Sequence, residues 1–396
     1  MDVRNRSVKG WDAASIASVV AAGMRALVEI EDALQRAENG KAMGEDITMD
    51  LMRVATLVDE IHCAARDGLV YQNALGPIQR DYECPESIPF MLKPKPKAGE
   101  DGAADSHWNL VVNLLVAHIR KKPLAYRDSW HLKTSLGVPY GLCIRPGANN
   151  PHNTTSSGLI AGDEECYTTF NSTFQGVVDQ IHGAWGEGRR FISALDPLDY
   201  QFQLRKTQLD RRYVMSVRVR AARNLAGHRF PPACSAEERR VIEKGVTKAL
   251  LSLKDDMKGS YYPLHGSQSY RKMRGGMAAS AEQAMRDAHL LFEKPHTAMA
   301  IAGGYHREWP DARGVFQTVP KDFVVWVNDK DHMRLFTAQN GSDIQKVFLR
   351  FCEVHAAVEY AIRAQGMDFI RNDRYGYVSS DPKTLGRHCA RQSSSS

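Results

Sequence analysis

Between Tyr213 and Arg223 the sequence YVMSVRVRAAR alternates with period two. Tyr213, Met215, Val217 and Val219 fall on one side, and Ser216, Arg218 and Arg220 on the other. This predicts a strand that buries one face and stands two guanidinium groups side by side on the opposite face, with Arg223 where the strand should end. Elsewhere the period lengthens to that of a helix. Ile16, Val20, Gly23, Leu27, Ile30 and Leu34 mark one stripe, and a second amphipathic run follows near Leu51 to Ile61. Helical patterning returns at Trp108 to Ile119 and at Glu164 to Ile181, where Tyr167, Phe170, Phe174, Val177 and Ile181 share a face. Pro85 to Asp105 reads as a linker and Pro146 to Gly158 as a loop, which together predict a small, mainly helical domain.

After Asp210 strands and helices mix. Ser235 with Glu238 forms a capping box ahead of the stripe Ile242, Gly245, Val246, Ala249, Leu250 and Leu253. Phe323 to Val327 is a continuous apolar run, predicting a central strand buried on both faces. Asn328 to Asp331 then turns the chain into Met333 to Thr337, a hairpin. Ser342 with Gln345 is expected to cap a further helix, with Ile344, Val347, Phe348, Phe351, His355, Val358 and Ile362 as its core stripe. His355 on that face reads as a core histidine rather than a ligand. The fold class is α+β: a small helical domain, then a large antiparallel sheet flanked by helices.

Composition changes this picture little. The chain has 396 residues, enough for a sizeable core and two domains, and its net charge of +6 is mild. The densest basic run, KPKPK at Lys93 to Lys97, alternates with proline and suits an extended spacer, so no nucleic-acid partner is expected. Seven cysteines without a CxxC pair fit neither a zinc site nor a disulfide framework. His62 beside Cys63 lacks a second ligand pair nearby. No stretch is long enough to span a membrane and no signal-like segment opens the sequence, so no membrane partner and a reducing, cytoplasmic setting are expected.

Two places hold candidate chemistry. Paired arginines on a rigid strand match phosphate oxygens in geometry and keep their charge, although an ordinary solvated strand would show the same alternation. The turn in WVNDKDHMR sets Asp329, Lys330, Asp331, His332 and Arg334 at the end of a buried strand, where charge is costly unless paired or used.

The segments SVRVRAAR, NLAGHRFPPACSAEERR, KGSYYPL, HLLF at His289 to Phe292, REWPDARG at Arg307 to Gly314 and FVVWVNDKDHMR occur in the order seen in phosphagen kinases. These are the ATP:guanidino phosphotransferases, such as creatine and arginine kinases. SLGVPYGLCIRPGANNP and AGDEECYTTF resemble the same family's small helical N-terminal domain, and the resemblance covers roughly residues 110 to 386. It implies an eight-stranded antiparallel sheet and in-line transfer of the γ-phosphoryl of MgATP to a guanidino substrate such as arginine or creatine. Positioning and charge stabilisation dominate such chemistry. By motif position, Ser216, Val217, Arg218, Val219 and Arg220 would hold ATP or ADP, with His289 by the nucleotide and Arg334 on a phosphate. Ser157, Gly158 and Ile160 would face the guanidino substrate. Magnesium would enter with the nucleotide and no residue would bind it directly.

Three departures from the family pattern stand out. The two consecutive glutamates of the family's turn are here Asp329 and Lys330, and Lys330 takes the place of the glutamate that orients and deprotonates the guanidinium. The family's reactive cysteine is replaced by Asp381 in GYVSSDP. The family's next segment, with two further phosphate-binding arginines and a mobile substrate loop, is expected to be missing after Gly386, which makes the catalytic domain C-terminally incomplete.

The opening MDVRNRSVKGWDAASIASVVAAGMRALVEIEDAL resembles the end of a phosphagen kinase rather than its start. The expected organisation is therefore a piece of a tandem array with neighbouring kinase repeats as partners. Residues 1–46 would be the remnant of a preceding domain, 47–106 helix and linker, and 107–205 the helical domain. Residues 206–386 would be the incomplete catalytic domain and 387–396 an unrelated tail. The helix at Ile16 to Leu34 is expected to cover the large sheet. SQSYRKMRGG at Ser267 to Gly276 reads as a flexible loop without assigned function. Two functional readings remain: a phosphotransferase, or a catalytically dead repeat that binds nucleotide or only scaffolds its neighbours.

Overall fold

The computed structural model describes residues 92–93, 110–183, 210, 212–385 and 390–395. The two N-terminal stripes, the segment 1–46, His62 with Cys63 and most of the proline-rich linker lie outside them, and with them the helix expected to cover the sheet.

The helical part comprises α1 (Leu114–Lys121), α2 (Pro123–Ser129), α3 (Tyr140–Asn149), α4 (Cys166–Thr169) and α5 (Asn171–His182). Asn113 caps α1 by accepting from Val116 N, while its amide donates to the carbonyls of Gly147 (2.9 Å) and Asn150 (3.0 Å). One side chain thus ties the start of α1 to the end of α3. Where a loop is expected from Pro146, α3 continues to Asn149, because a proline so near the helix end forfeits only one backbone bond. The long stripe at Glu164–Ile181 breaks at Phe170 into α4 and α5. Its Tyr167, Phe170, Phe174 and Val177 still share one core, with Tyr140, Ile144 and Leu92.

The sheet contains β1 (Val214–Arg223), β2 (Gly259–Pro263), β3 (Gly314–Thr318), β4 (Phe323–Val327), β5 (Met333–Asn340) and β8 (Ala390–Ser395). Strands β6 (Arg371–Asn372) and β7 (Gly376–Tyr377) pair separately. The order is β2-β3-β4-β5-β1-β8 with every neighbour antiparallel, six strands among the described residues where the resemblance implies eight. The apolar run of β4 and its hairpin partner β5 take the centre. Strand β8, from the stretch expected to be an unrelated tail, runs along the free edge of β1.

The alternation in β1 holds from Val217 onward: Val217, Val219 and Ala221 are buried. Met215 and Tyr213 keep the phase but are exposed, at the end of the strand where β5 stops at Asn340, opposite Ser216. On the buried side pack α6 (Ala236–Leu250) and α9 (Ile344–Arg363), through Ile242, Val246, Val347, Phe351 and Val358 among others. The capping box of α6 forms, with Ser235 Oγ accepting from Glu238 N at 3.1 Å and Glu238 accepting from Ser235 N at 3.3 Å. Helix α9 is capped by Asp343, which accepts from Lys346 N, rather than by Ser342. The opposite face of the sheet carries Val315, Val324 and Phe336, packed with Leu264, Met277, Leu291 and Phe292. Residues 267–276 fold as a closed loop: Gly275 N donates to Ser267 O at 2.8 Å, and Arg271–Met273 form a 3-10 turn.

Candidate active site

Antiparallel register places the arginines. Residues opposite each other point to the same face, so Arg220 beside Phe336 and Ala222 beside Arg334 join Arg218 on the side away from α6 and α9. Val217 and Val219 from the same run face the helices and lie in the core, so their side chains set the strand rather than line this surface. Arg218 stacks over the Phe336 ring at 4.8 Å and donates to the His289 carbonyl at 3.2 Å. Burial pulls its guanidinium below the ordinary arginine value, and among the described residues no carboxylate ion-pairs with it. His289 lies between α7 (Ala279–Asp287) and α8 (Ala298–Ala302), in a left-handed conformation with its side chain exposed. Arg220 is exposed and Ser216 half-buried, opposite Asn340.

Arg334 connects this surface to the β4–β5 turn. Its guanidinium pairs with Asp329 at 3.2 Å, reaches Asp331 at 4.0 Å and lies over Trp326 at 5.8 Å. Trp326 is fixed in turn by donating to Leu290 O at 2.8 Å. Asp331, buried to 1% exposure, is the centre of the turn. It accepts from Asn224 Nδ2 (2.7 Å), Ser379 Oγ (3.0 Å) and Ser380 N (2.8 Å). Asn224 Oδ1 receives His332 N at 2.8 Å. His332 Nδ1 accepts from Leu225 N at 3.0 Å, which leaves the proton on Nε2 to donate to Arg229 O at 2.9 Å. Burial pushes this imidazole down to about 4. Asp331, His332 and Asn224 therefore hold the turn in shape. The dense charge of WVNDKDHMR flags the first two, but nothing in the sequence marks Asn224 as their partner.

Asp381 is brought to the same place. Ser380 Oγ donates to Lys330 O at 2.7 Å, and Asp381 N donates to Ser379 Oγ at 3.3 Å. Asp381 caps a 3-10 turn by accepting from Lys383 N at 2.9 Å. Burial raises its carboxyl above the usual range, opposed by that backbone bond and by the Lys330 charge. The Lys330 side chain is exposed at the tip of the turn. The loop expected to face a substrate is joined on here as well, since Ala161 N donates to Ser380 O at 2.8 Å. In that loop Ser157 and Ile160 are buried, and Ser157 Oγ donates to Leu159 O at 3.2 Å. Gly158 has φ +81° and its Cα lies so close to Asn113 that an added Cβ would meet Oδ1 at 2.5 Å. Loop and turn thus form one hydrogen-bonded unit at the end of β4 and β5.

Among the described residues no group of three or more His, Cys, Asp or Glu is placed to hold a metal ion, and no helix is long and apolar enough to cross a membrane. The acidic groups of the turn are instead committed to Arg334, Asn224 and the serines.

Comparison with known proteins gives a consistent result. Residues 113–179 match the family model of the ATP:guanido phosphotransferase N-terminal domain, and residues 241–393 that of its C-terminal catalytic domain. A glycocyamine kinase from Hediste diversicolor is 35% identical over 277 residues, 69% of this chain and 66% of that protein. The M-type creatine kinase of Bos taurus is 35% identical over 282 residues, covering 71% of this chain and 69% of the relative. The crystal structure of a lombricine kinase superposes with a TM-score of 0.63 at 31% identity, covering 71% of this chain and 72% of that one. The chain thus spans about two thirds of the length of these relatives.

Proposed function

The chain belongs to the ATP:guanido phosphotransferase, or phosphagen kinase, family, and from that premise we propose that it binds MgATP on the arginine face of β1 and β5 and transfers the γ-phosphoryl to a guanidino acceptor at the β4–β5 turn. One observation carries the nucleotide part. Arg218 is half-buried and keeps its charge at a cost, with aromatic and carbonyl neighbours but no carboxylate among the described residues. A cation held in that way is completed by an anion from outside. Arg220 and Arg334 on the same face extend the charge as a polyphosphate requires. Magnesium arrives as part of the substrate, MgATP.

At the acceptor end a nitrogen–phosphorus bond forms as the bond from the γ-phosphorus to ADP breaks, and the guanidinium gives up a proton. Of the three positions expected there, Asp329 is held by Arg334 and Lys330 is a cation. Asp381 is the carboxylate whose burial raises its proton affinity, the property a base needs. Lys330 also favours a second reading, a nucleotide-binding module without transfer, because its ammonium repels a guanidinium by about 1–4 kcal/mol depending on exposure.

Calorimetry with ADP and a coupled ATP assay over a panel of guanidino compounds separate the outcomes. ADP binds, and Arg218→Ala weakens it at least tenfold. Turnover above a blank that Arg218→Ala abolishes supports transfer, whereas ADP binding without turnover supports the second reading. Equal ADP affinity in both proteins overturns the clamp.

A further inference from the structure

The loop at residues 267–276, between β2 and α7, is held at its base and charged at its tip. Ser267 N donates to Leu264 O at 3.0 Å, Gly266 N to Gly275 O at 2.7 Å and Met277 N to Pro263 O at 2.9 Å, so the two sides of its neck are laced together. Gly276 has φ +72°, and an added Cβ would meet Leu264 O at 1.8 Å, so the neck closes this tightly only on glycine. Inside the loop Ser267 is buried and its hydroxyl meets Ser269 Oγ at 3.1 Å, which accepts from Ala312 N at 3.0 Å. The Tyr270 ring packs edge-on against Tyr261, centroids 5.1 Å apart. A compact loop fastened in this way presents its tip in a fixed place.

That tip carries Arg271, Lys272 and Arg274, three exposed cations within four residues. Among the described residues none of these side chains forms an ion pair or a hydrogen bond. The carboxylates at the base of the loop are engaged elsewhere. Asp311 accepts from Gln268 N and pairs with Arg240, and Glu282 accepts from His265 N and pairs with Arg286. Buried Glu243 accepts from Tyr261 Oη at 2.7 Å. The like charges of the tip therefore face solvent without a counter-charge from the described residues.

We propose that this loop docks an acidic polypeptide segment, a run of aspartate and glutamate on another protein. An extended segment sets its same-side carboxylates about 7 Å apart, so two or three of them reach cations crowded into one turn. The guanidinium forks of Arg271 and Arg274 each match a carboxylate in geometry. Two other anionic surfaces fit less well. A cluster that binds anionic lipid takes about four to eight cations. This loop has three, and its Tyr270 and Met273 are half-buried rather than free to insert. A single-stranded nucleic acid needs aromatic faces on which its bases stack, and the Tyr270 ring is turned to Tyr261. The docking tip lies outside the arginine face of β1 and β5, so the proposal does not depend on nucleotide binding there.

The test titrates the full chain against fluorescein-labelled decaglutamate, read by fluorescence anisotropy, with decaglutamine as the uncharged control. Decaglutamate is expected to bind and decaglutamine not, and added salt weakens the complex. Arg271→Gln, Lys272→Gln and Arg274→Gln together weaken decaglutamate at least tenfold. Lys244→Gln, Lys248→Gln and Lys254→Gln, which remove as many exposed cations from α6 and the turn after it, leave its affinity within about twofold. The single reversal Lys272→Glu weakens it as well. Both loop variants keep the native melting temperature and ADP affinity, because the replaced side chains make no contacts among the described residues. No binding of decaglutamate overturns the proposal, as does an equal loss in the two triple variants. Tighter binding of phosphatidylserine vesicles or of oligouridylate than of decaglutamate overturns it too.

Discussion

Arg223 and Arg218 belong to the same strand and share a side-chain type, yet their surroundings assign them opposite jobs. Arg223 faces the helices, stacks over Tyr377 at 3.6 Å and donates to His355 Nε2 at 2.8 Å, so it is part of the core. Arg218 faces the other way, half-buried between the Phe336 ring and the His289 carbonyl. His355 accordingly is the core histidine its apolar stripe predicts, packed by Phe351, Phe369 and Tyr377. His332 carries a pH prediction. Its folded value of about 4 lies below the unfolded value of about 6.5, so the unfolded chain takes up the proton first. The stability it contributes is complete above about pH 6.5 and is lost as pH falls from there toward 4, on the order of 3 kcal/mol at most. Urea unfolding at pH 7 and pH 5 should show this slope in the native chain and a shallower one in His332→Asn. Equal slopes would remove His332 from the acid response.

At the scale of elements, helix α6 shows how a local signal reaches the site. Glu238 closes the capping box and also receives Arg229 N at 2.8 Å and Arg229 Nε at 2.9 Å. Arg229 is the residue whose carbonyl holds His332. Ser235→Ala is therefore expected to cost about 1 kcal/mol by loss of the cap, visible as a lower urea midpoint at unchanged slope. A neutral outcome would show that the Arg229 bonds alone hold the first turn. The β4–β5 hairpin is the other decisive element. Its continuous apolar run fixes a central place in the sheet, and centrality delivers the polar turn to the sheet's end, where two loops from distant sequence close on it.

Over the whole described body, the helical part and the sheet bury separate clusters, and the segment after α9 joins the helical one. Ile370, Tyr375, Val378 and Leu385, from the C-terminal end, pack in the same cluster as Tyr167, Phe170 and Phe174. Tyr375 lies tilted against Tyr167, ring centroids 5.4 Å apart, and donates to Gln175 Oε1 at 2.8 Å. Tyr167 donates to Ser379 O at 2.8 Å, two residues before Asp381. Removing the ring with Tyr375→Ala is expected to cost roughly 3 kcal/mol or more, since it empties a buried aromatic site. Circular dichroism and tryptophan fluorescence should trace one unfolding transition in the native chain. Coincident curves and an unchanged midpoint in the variant would show that this contact is dispensable.

The sequence by itself determined the elements and the family-like order of motifs, because period-two and helical patterns, caps and turn chemistry act over a few neighbouring residues. It placed the strand at Val214–Arg223, the capping box at Ser235 and the hairpin at Asn328–Asp331. It misjudged the helix through Pro146 and the cap at Asp343, where a single residue's local preference was outweighed by the contacts around it. Only the tertiary structure decided which residues meet. Asn224, Asp331 and Ser380 are more than forty residues apart in sequence, and their hydrogen bonds form only after β1, the β4–β5 hairpin and the C-terminal loop have packed. The fastening of the Lys330 turn to the Asp381 segment is of the same kind: Ser380 binds both the buried Asp331 carboxylate and the Lys330 carbonyl, a contact no local pattern in the chain announces.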